Sequence, residues 1–230
     1  MAETLDIGDP PVRVLLRRNA RAKRMTLRVS AADGTIRLTL PKRGSLRSAK
    51  RFLLEQECWL REQSASMPAR IVISEGVSIS LEGEGFTLDR HQGTRVIIAP
   101  GKIFLPISRP AGTALEAFIK ARGKPVITSM VKADCTALGV SCSGISLRDP
   151  RSRWGSCNSE GKLMFSWRLF LAPPVVLRYV VAHEVAHLRE MNHSSRFWAE
   201  VAGLMPEYEV PRQWLRQNGA HLHRFDFKSA

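Results

Sequence analysis

Cysteine is scarce in this sequence, with four in 230 residues, at positions 58, 135, 142 and 157. The spacing is irregular and no two of them form a CxxC pair, which argues against a disulfide framework and against a cysteine-based zinc motif. We therefore expect reduced thiols. Cys157, in the unusual segment RSRWGSCNSEG, is the one cysteine kept as a candidate metal ligand.

Long hydrophobic runs are also missing. The most apolar stretch, residues 169–188, is interrupted by two prolines and three polar or charged residues: Pro173, Pro174, Arg178, His183 and Glu184. The first residues, MAETLDIGDPP, have no basic start followed by an apolar run, so they do not resemble a secretory signal. We therefore expect no membrane-spanning helix and a cytoplasmic location.

Acidic residues are outnumbered, 21 against 35 Lys and Arg, which gives a formal charge of +14. The excess is local, because residues 10–70 hold 15 basic and 4 acidic residues, or 15 − 4 = +11. Such a field attracts nucleic acid, nucleotides or acidic peptides. A basic surface without a dedicated partner explains the same charge, and the sequence leaves both readings open.

The first half of the chain is predicted to be a β-rich module, residues 1–108, with one helix. Alternating apolar residues at 25–29 and 36–40, around the turn 31–34, predict a β-hairpin. Ser45 is placed to cap a helix over residues 45–63, whose apolar positions recur at intervals of three and four. Short strands separated by Gly and Asp are then expected between residues 71 and 107, in antiparallel order.

The second half, residues 112–230, is predicted to be mainly helical, which makes the fold class α+β. The spacing of the hydrophobic residues changes from every second residue to about every three and a half residues after Arg109–Gly112. We therefore predict the domain boundary at this segment. Gly123 and Pro125 predict a kink or two consecutive helices in the region that follows. Residues 145–148 and 163–168 read as strands of a small antiparallel sheet.

The predicted catalytic motif is the segment His183-Glu184-Val185-Ala186-His187. Two histidines four apart on a helix share one face and can bind the same ion. Glu184 is rotated about 100° away by the helical period, which suits it to a water on the metal rather than to the metal itself. The residues around the three are apolar, and such a group is costly to bury without a metal. We predict one bound Zn²⁺, with His183 and His187 as ligands and Glu184 as the general base.

A catalytic zinc usually has three protein ligands, and His193 is the leading candidate for the third. An unbroken helix would carry His193 away from His187, so the chain must reverse first. Asn192 makes that reversal plausible, because Asn tolerates the left-handed conformation. Ser194 can then cap the next helix. Three acids remain as rival ligands: Glu200, Glu207 and Glu209.

Two segments, RSRWGSCNSEGKLMFSWRL and APPVVLRYVVAHEVAHLREMNHSSRFW, resemble the YgjP-like metallopeptidase family of bacterial zinc proteins. The resemblance covers most of the chain, and a more distant similarity to SprT-like proteases accompanies it. It implies a zincin-like domain in which His183, His187 and His193 correspond to the metal ligands and Glu184 to the general base. It also implies a metal-dependent hydrolase or peptidase, without fixing the substrate.

Three functions are compatible with these features. The first is peptide hydrolysis, with the peptide lying beside the strand 163–168. Arg151, Arg153 and Tyr179 are candidates for stabilising the oxyanion, and Arg153 is the predicted substrate-binding residue. The second is a metal-dependent nucleoside triphosphate pyrophosphatase, although no Gly-rich phosphate loop is present. The third is a DNA-associated protease that uses its basic N-terminal half to contact phosphates. The sequence does not predict an oligomeric state.

Overall fold

The computed structural model describes residues 3–30, 34–65 and 70–228. The chain divides into two compact units, Met1–Arg70 and Ile71–Ala230. This division lies about 40 residues before the boundary expected at 109–112. The reason is that strands between residues 78 and 106 share one hydrophobic core with the helices that follow them. The change of hydrophobic period therefore marks a change of secondary structure inside one unit.

The first unit contains a four-stranded sheet and two helices. Its strands are β1 (Glu3–Ile7), β2 (Val12–Asn19), β3 (Thr26–Val29) and β4 (Ile36–Pro41), in the order β1-β2-β4-β3. Its helices are α1 (Leu46–Glu55) and α2 (Glu57–Ala65). Alternate strand residues such as Val14 and Leu38 are fully buried against Leu53 of α1 and Leu60 of α2. The period-two pattern therefore separates a core face from an outer face.

Two sequence expectations for this unit can be compared with the structure. The predicted hairpin is present, since β3 and β4 pair antiparallel with Leu27 opposite Leu38; most of its predicted turn, residues 31–33, lies outside the described residues. The single helix over 45–63 is wrong. The helix stops at Gln56, whose backbone (φ −100°, ψ 6°) leaves the helical region, and α2 starts afresh at Glu57. Ser45 does cap α1, accepting a hydrogen bond from the Ser48 N–H.

The described residues of the second unit, 71–228, form nine strands in three sheets. The strands are β5 (Ile71–Val72), β6 (Ser78–Leu81), β7 (Glu84–His91), β8 (Ile97–Ala99), β9 (Lys102–Pro106), β10 (Gly144–Arg148), β11 (Gly155–Cys157), β12 (Lys162–Ser166) and β13 (Phe225–Asp226). The sheets have the orders β6-β7-β9-β8, β10-β12-β11 and β13-β5. The expected all-antiparallel arrangement is wrong in part, because β7 pairs parallel with β9, β10 with β12, and β13 with β5.

The helices of the second unit are α3 (Ala111–Leu138), α4 (Pro174–Ala186), α5 (Ser195–Leu204) and α6 (Glu209–Leu222), and a short 3₁₀ helix spans Trp167–Leu171. The α+β fold class is confirmed. The alternative of two consecutive helices at Gly123 and Pro125 is wrong, since α3 is one helix of 28 residues. Buried residues on both sides of Pro125, Ile119 and Ile127, hold the helix in the core. This packing outweighs the hydrogen bond that proline removes.

The small sheet β10-β12-β11 is the part of the fold that faces the candidate site. Gly155 and Cys157 of β11 alternate with Ser156, so they lie on the same face as Leu163 and Phe165, their partners on β12. That face packs against α4. The predicted strand 163–168 ends at Ser166, and its last two residues begin the 3₁₀ helix. Among the described residues, every helix is too short or too polar to cross a lipid bilayer.

Candidate metal centre

Helix α4 carries the HExxH segment through the core. Pro174 is its first residue, a position where the missing N–H costs no helical hydrogen bond. Ala182, Val185 and Ala186 are fully buried. The helix is therefore fixed by packing, and the side chains of His183 and His187 keep a defined direction on one side of it.

The chain reverses after α4, as the third-ligand hypothesis requires, but not by the expected means. Among the described residues, Glu82 is the only non-glycine with a positive φ, so Asn192 is not left-handed. Instead the Asn192 side chain accepts a hydrogen bond from the Ser194 N–H at 3.1 Å, which forms an Asx turn. Ser194 then caps α5, as predicted, by accepting from the Phe197 N–H.

This reversal brings three imidazole rings together. The ring centroids of His183, His187 and His193 lie 4.8 to 5.0 Å apart. One nitrogen from each ring falls in a group whose members all lie within 4.8 Å of one another, and the Nε2 atoms of His183 and His193 are 3.1 Å apart. Two nitrogens bound at 2.0–2.1 Å to a tetrahedral ion are about 3.3 Å apart. The spacing therefore suits a single cation.

Contacts to the Nδ1 atoms orient the rings of His187 and His183. The Nδ1 atom of His187 lies 3.0 Å from the backbone oxygen of Glu190. Because a carbonyl only accepts, this nitrogen carries the proton, and Nε2 keeps the lone pair that a metal needs. The Tyr179 hydroxyl lies 3.5 Å from Nδ1 of His183, on the far side of that ring from His193. Both rings thus direct Nε2 toward the shared position.

The environment keeps the imidazoles of His183 and His187 neutral. Burial, followed by the neighbouring histidines and Arg212, lowers the pKa of His183 to about 3. Burial also lowers the pKa of His187. The fully buried ring of Phe197 lies 4.4 to 4.9 Å from all three imidazole centroids and forms the apolar floor of the group. Unprotonated rings on an apolar floor are a donor set suited to a borderline metal such as zinc.

Glu184 lies beside the histidines and is only 5% exposed. Burial raises the pKa of its carboxyl to about 8, while the charge of Arg153 acts in the opposite direction. Its side chain packs directly on the backbone of Gly155. A methyl group added at Gly155 would lie 2.4 Å from Oε1 and 2.5 Å from Cγ of Glu184. The strand β11 therefore holds the carboxylate in place.

Arg153, the predicted substrate-binding residue, is exposed and comes two residues before β11 begins. Its charge acts on Glu184. It also lines a cleft on the outer face of the small sheet, together with Arg148 and Ser156. Arg153 thus contributes to the surroundings of Glu184 and to this cleft. The positive charge that lowers the pKa of His183 belongs instead to Arg212.

Sequence reasoning missed two residues at this centre. Gly155 had a usable signal, because a glycine inside a short strand marks a close backbone approach. Arg212 had none, since it lies 19 residues beyond His193. Its guanidinium carbon is 4.2 Å from the Trp198 ring centroid, and Nη1 donates to Glu209 at 2.8 Å. Trp198 in turn lies 5.9 Å from His193, so α6 contributes a cation to the surroundings of the histidines.

The rival ligands are engaged elsewhere or lie outside the group. Glu200 accepts hydrogen bonds from Arg189 at 3.0 and 3.2 Å, and Glu209 accepts from Arg212. Among residues 3–30, 34–65 and 70–228, the three histidines form the one cluster of at least three potential metal ligands, and Cys157 and Glu207 are not in it.

The known proteins and the protein family that resemble this chain are metallopeptidases. No curated protein matches the chain. Two crystal structures of metallopeptidase zymogens, Pyrococcus abyssi abylysin and Methanocaldococcus jannaschii jannalysin, are each 18% identical to it with a TM-score of 0.36. Each covers 40% of this chain, and the matches span 93% and 95% of those proteins. The model of the YgjP-like metallopeptidase domain matches residues 23–218, and the chain therefore belongs to the YgjP-like metallopeptidase family.

Proposed function

We propose that this protein is a zinc-dependent peptidase in which His183, His187 and His193 hold one zinc ion and Glu184 is the general base. The observation that carries the proposal is the meeting of three imidazoles next to one buried carboxylate. A zinc ion bound by three imidazoles lowers the pKa of a water in its fourth position to about 7 and polarises a carbonyl oxygen.

Glu184 takes the proton from the attacking water and later gives it to the leaving amine. Its raised pKa suits the second step, because a carboxyl with a pKa of about 8 is a competent acid at neutral pH. A dication held by the neighbouring imidazoles favours the ionised form, which suits the first step. Gly155 fixes where the carboxylate oxygens lie during both steps.

The sequence predicts that the peptide substrate lies beside the strand 163–168, but the peptide needs a different position. That strand, β12, is central in its sheet, with β10 on one side and β11 on the other. Strand addition requires a free edge. β11 is the terminal strand of the sheet and carries Gly155 against Glu184. We therefore place the peptide along β11, where its carbonyl reaches the histidine group.

The decisive experiment compares wild type with Glu184→Gln on a mixed library of unstructured peptides. The variant is expected to keep a stoichiometric zinc ion and to lose at least about 100-fold in kcat, because it retains the shape of the side chain but no longer accepts a proton. Zinc is measured by elemental analysis and cleavage by mass spectrometry. Unchanged turnover in the variant removes Glu184 from its role, and a protein purified without any transition metal ends the zinc assignment.

A nucleic-acid role is the second candidate, and one feature of the first unit favours it. The outer face of its sheet presents Arg17, Arg28 and Arg37, and Arg28 lies directly opposite Arg37 on the neighbouring strand. Like charges in this position oppose each other. None of the three makes an ion pair with another described residue. An added polyanion would offset this repulsion, and the phosphate backbone of DNA is such a partner.

This candidate is tested by titrating a fluorescent DNA duplex with the protein at several salt concentrations. We expect an affinity that falls steeply with salt, and a smaller salt slope for Arg28→Gln combined with Arg37→Gln. Arg47→Gln combined with Arg51→Gln, on α1, gives the same change of net charge at exposed positions away from this face. Equal effects of the two double variants reduce the face to general basicity.

A further inference from the structure

A polar cleft lies on the outer face of the small sheet, opposite the face that packs on α4. It has a volume of about 560 Å³. Its floor is the cross-strand row Ser146, Met164 and Ser156, contributed by β10, β12 and β11 in register. It is a formed depression with side chains from all three strands, and the proposed role of Glu184 makes no use of it.

The charges around the cleft have one sign. Arg148, Arg153 and Lys162 line it, and no acidic residue does. Lys162 is paired with Glu160 at 2.6 Å. Arg148 and Arg153 are exposed and make no hydrogen bond or ion pair with other described residues. They lie at the same end of the sheet, because Arg148 is opposite Ser166 and β11 runs antiparallel to β12 from Gly155.

The cleft adjoins the candidate metal centre through β11. Gly155 faces Glu184 on one side of the sheet, and the next residue, Ser156, lines the cleft on the other. Arg153 is part of both the cleft and the surroundings of the metal centre, since it lines the cleft and its positive charge opposes the rise in the pKa of Glu184 that burial causes. A peptide paired with β11 would direct alternate side chains to opposite faces. The side chains that point away from α4 would then reach the two arginines.

We propose that this cleft is a specificity subsite for an acidic side chain, Asp or Glu, of the peptide substrate. The inference rests on the proposed peptidase function and deepens it. Arg148 and Arg153 bind the carboxylate, and the serines of the floor supply further donors. Arg153 is then a specificity residue at the entrance of the site rather than the group that stabilises the oxyanion.

The test uses pairs of fluorogenic peptides that differ by Glu or Gln at one position on either side of the cleaved bond. Wild type is expected to prefer the acidic peptide in kcat/KM by about fivefold, the size of one partly exposed ion pair. Arg148→Gln and Arg153→Gln are each expected to reduce this ratio. Arg216→Gln, an exposed arginine of α6 outside the cleft, removes the same charge and should leave the ratio as it is.

Charge reversal distinguishes recognition from damage to the fold. Arg148→Glu is expected to prefer a peptide with Lys over one with Glu at the same position, which a misfolded variant cannot do. A wild-type ratio near one, or a ratio that neither Arg148→Gln nor Arg153→Gln changes, overturns the subsite. Hydrolysis of a nucleoside triphosphate in preference to any peptide also overturns it and assigns the arginines to phosphate.

Binding separates this inference from the proposed function. The fluorescence anisotropy of the acidic and neutral peptides is measured on Glu184→Gln protein, which needs no turnover. A preference for the acidic peptide that is lost in the Glu184→Gln, Arg148→Gln double variant supports the subsite even if wild type cleaves neither peptide. Equal binding of both peptides by Glu184→Gln protein contradicts the subsite, whatever the catalytic result.

Discussion

At the scale of single residues, the position of the Glu184 carboxylate depends on the absence of a side chain at Gly155. Gly155 is the residue of β11 that touches the carboxylate, and any Cβ there would overlap both Oε1 and Cγ. The overlap with Cγ matters most, because Cγ lies close to the backbone and cannot swing away as a flexible tip can. Position 155 must therefore be glycine because of the Glu184 side chain and not because of the strand.

Gly155→Ala is therefore expected to lower kcat by about 100-fold, the effect of moving a reacting group by roughly an ångström. Zinc content should stay the same, because the three atoms nearest to the added methyl group all belong to Glu184. The matched control is Gly144→Ala in β10 of the same sheet, where the nearest atom, Cγ of Lys162, is 4.0 Å from the new Cβ. Equal activities of the two variants would show that Glu184 is not held by β11.

At the scale of elements, an ion pair fixes α4 to its neighbours. Arg178 of α4 donates to both carboxylate oxygens of Asp134 on α3, at 2.6 and 2.7 Å, and to the backbone oxygen of Leu204 at the end of α5. Asp134 is buried. Burial raises the pKa of this carboxyl, and the guanidinium opposes that shift. One side chain thus connects the three helices around the histidines.

Removing only the arginine leaves a buried carboxylate without its partner, so Arg178→Ala should lower the free energy of unfolding by about 3–5 kcal/mol. Asp134→Asn added to this variant is expected to recover part of the loss. The control is Arg122→Ala, which breaks the more exposed pair with Glu82 and should cost at most about 1 kcal/mol. Urea unfolding of the second unit measures both. Similar losses in Arg178→Ala and Arg122→Ala would contradict the role of burial.

At the scale of the whole molecule, the proposed metal ion would link helix α4 to the loop that leads to α5. Without the ion, packing holds these two segments together. His183 belongs to α4 and His187 caps its C-terminal end, while exposed His193 lies on the loop that leads to α5. An ion bound by all three stabilises the folded state by mass action, by about 2.7 kcal/mol at a hundredfold excess over Kd. Metal removal should therefore be visible in the stability of the protein.

We expect Zn²⁺ to raise the Tm of chelator-treated protein by several degrees, since about 1 kcal/mol shifts Tm by 2–4 °C in a domain of this size. His193→Ala should lose most of that rise. His221→Ala, an exposed histidine of α6 outside the cluster, should retain it. A zinc-induced shift that persists unchanged in His193→Ala would exclude His193 as a ligand.

Several features of the fold were predictable because they depend on local chemistry. The cap at Ser194 and the cap at Ser45 each follow from one residue and its neighbours in sequence. The hairpin of β3 and β4 follows from an alternating pattern interrupted by a turn. The break at Gln56 and the unbroken path through Pro125 were not predictable, since packing against distant residues decides between the backbone conformations there.

Two imidazoles share one face of a helix with a carboxylate rotated away from them whatever the rest of the fold, because the helical period leaves no other arrangement. Three other features depend on how distant segments pack: which strand meets that carboxylate, where the chain divides, and which arginine lies near Glu184 and which near His183. Pairing of β10, β11 and β12 brings together residues up to 18 positions apart in sequence, and neither the parallel pairing of β10 with β12 nor the edge position of β11 follows from a local pattern. Gly155 became interpretable only when Glu184 was found against it.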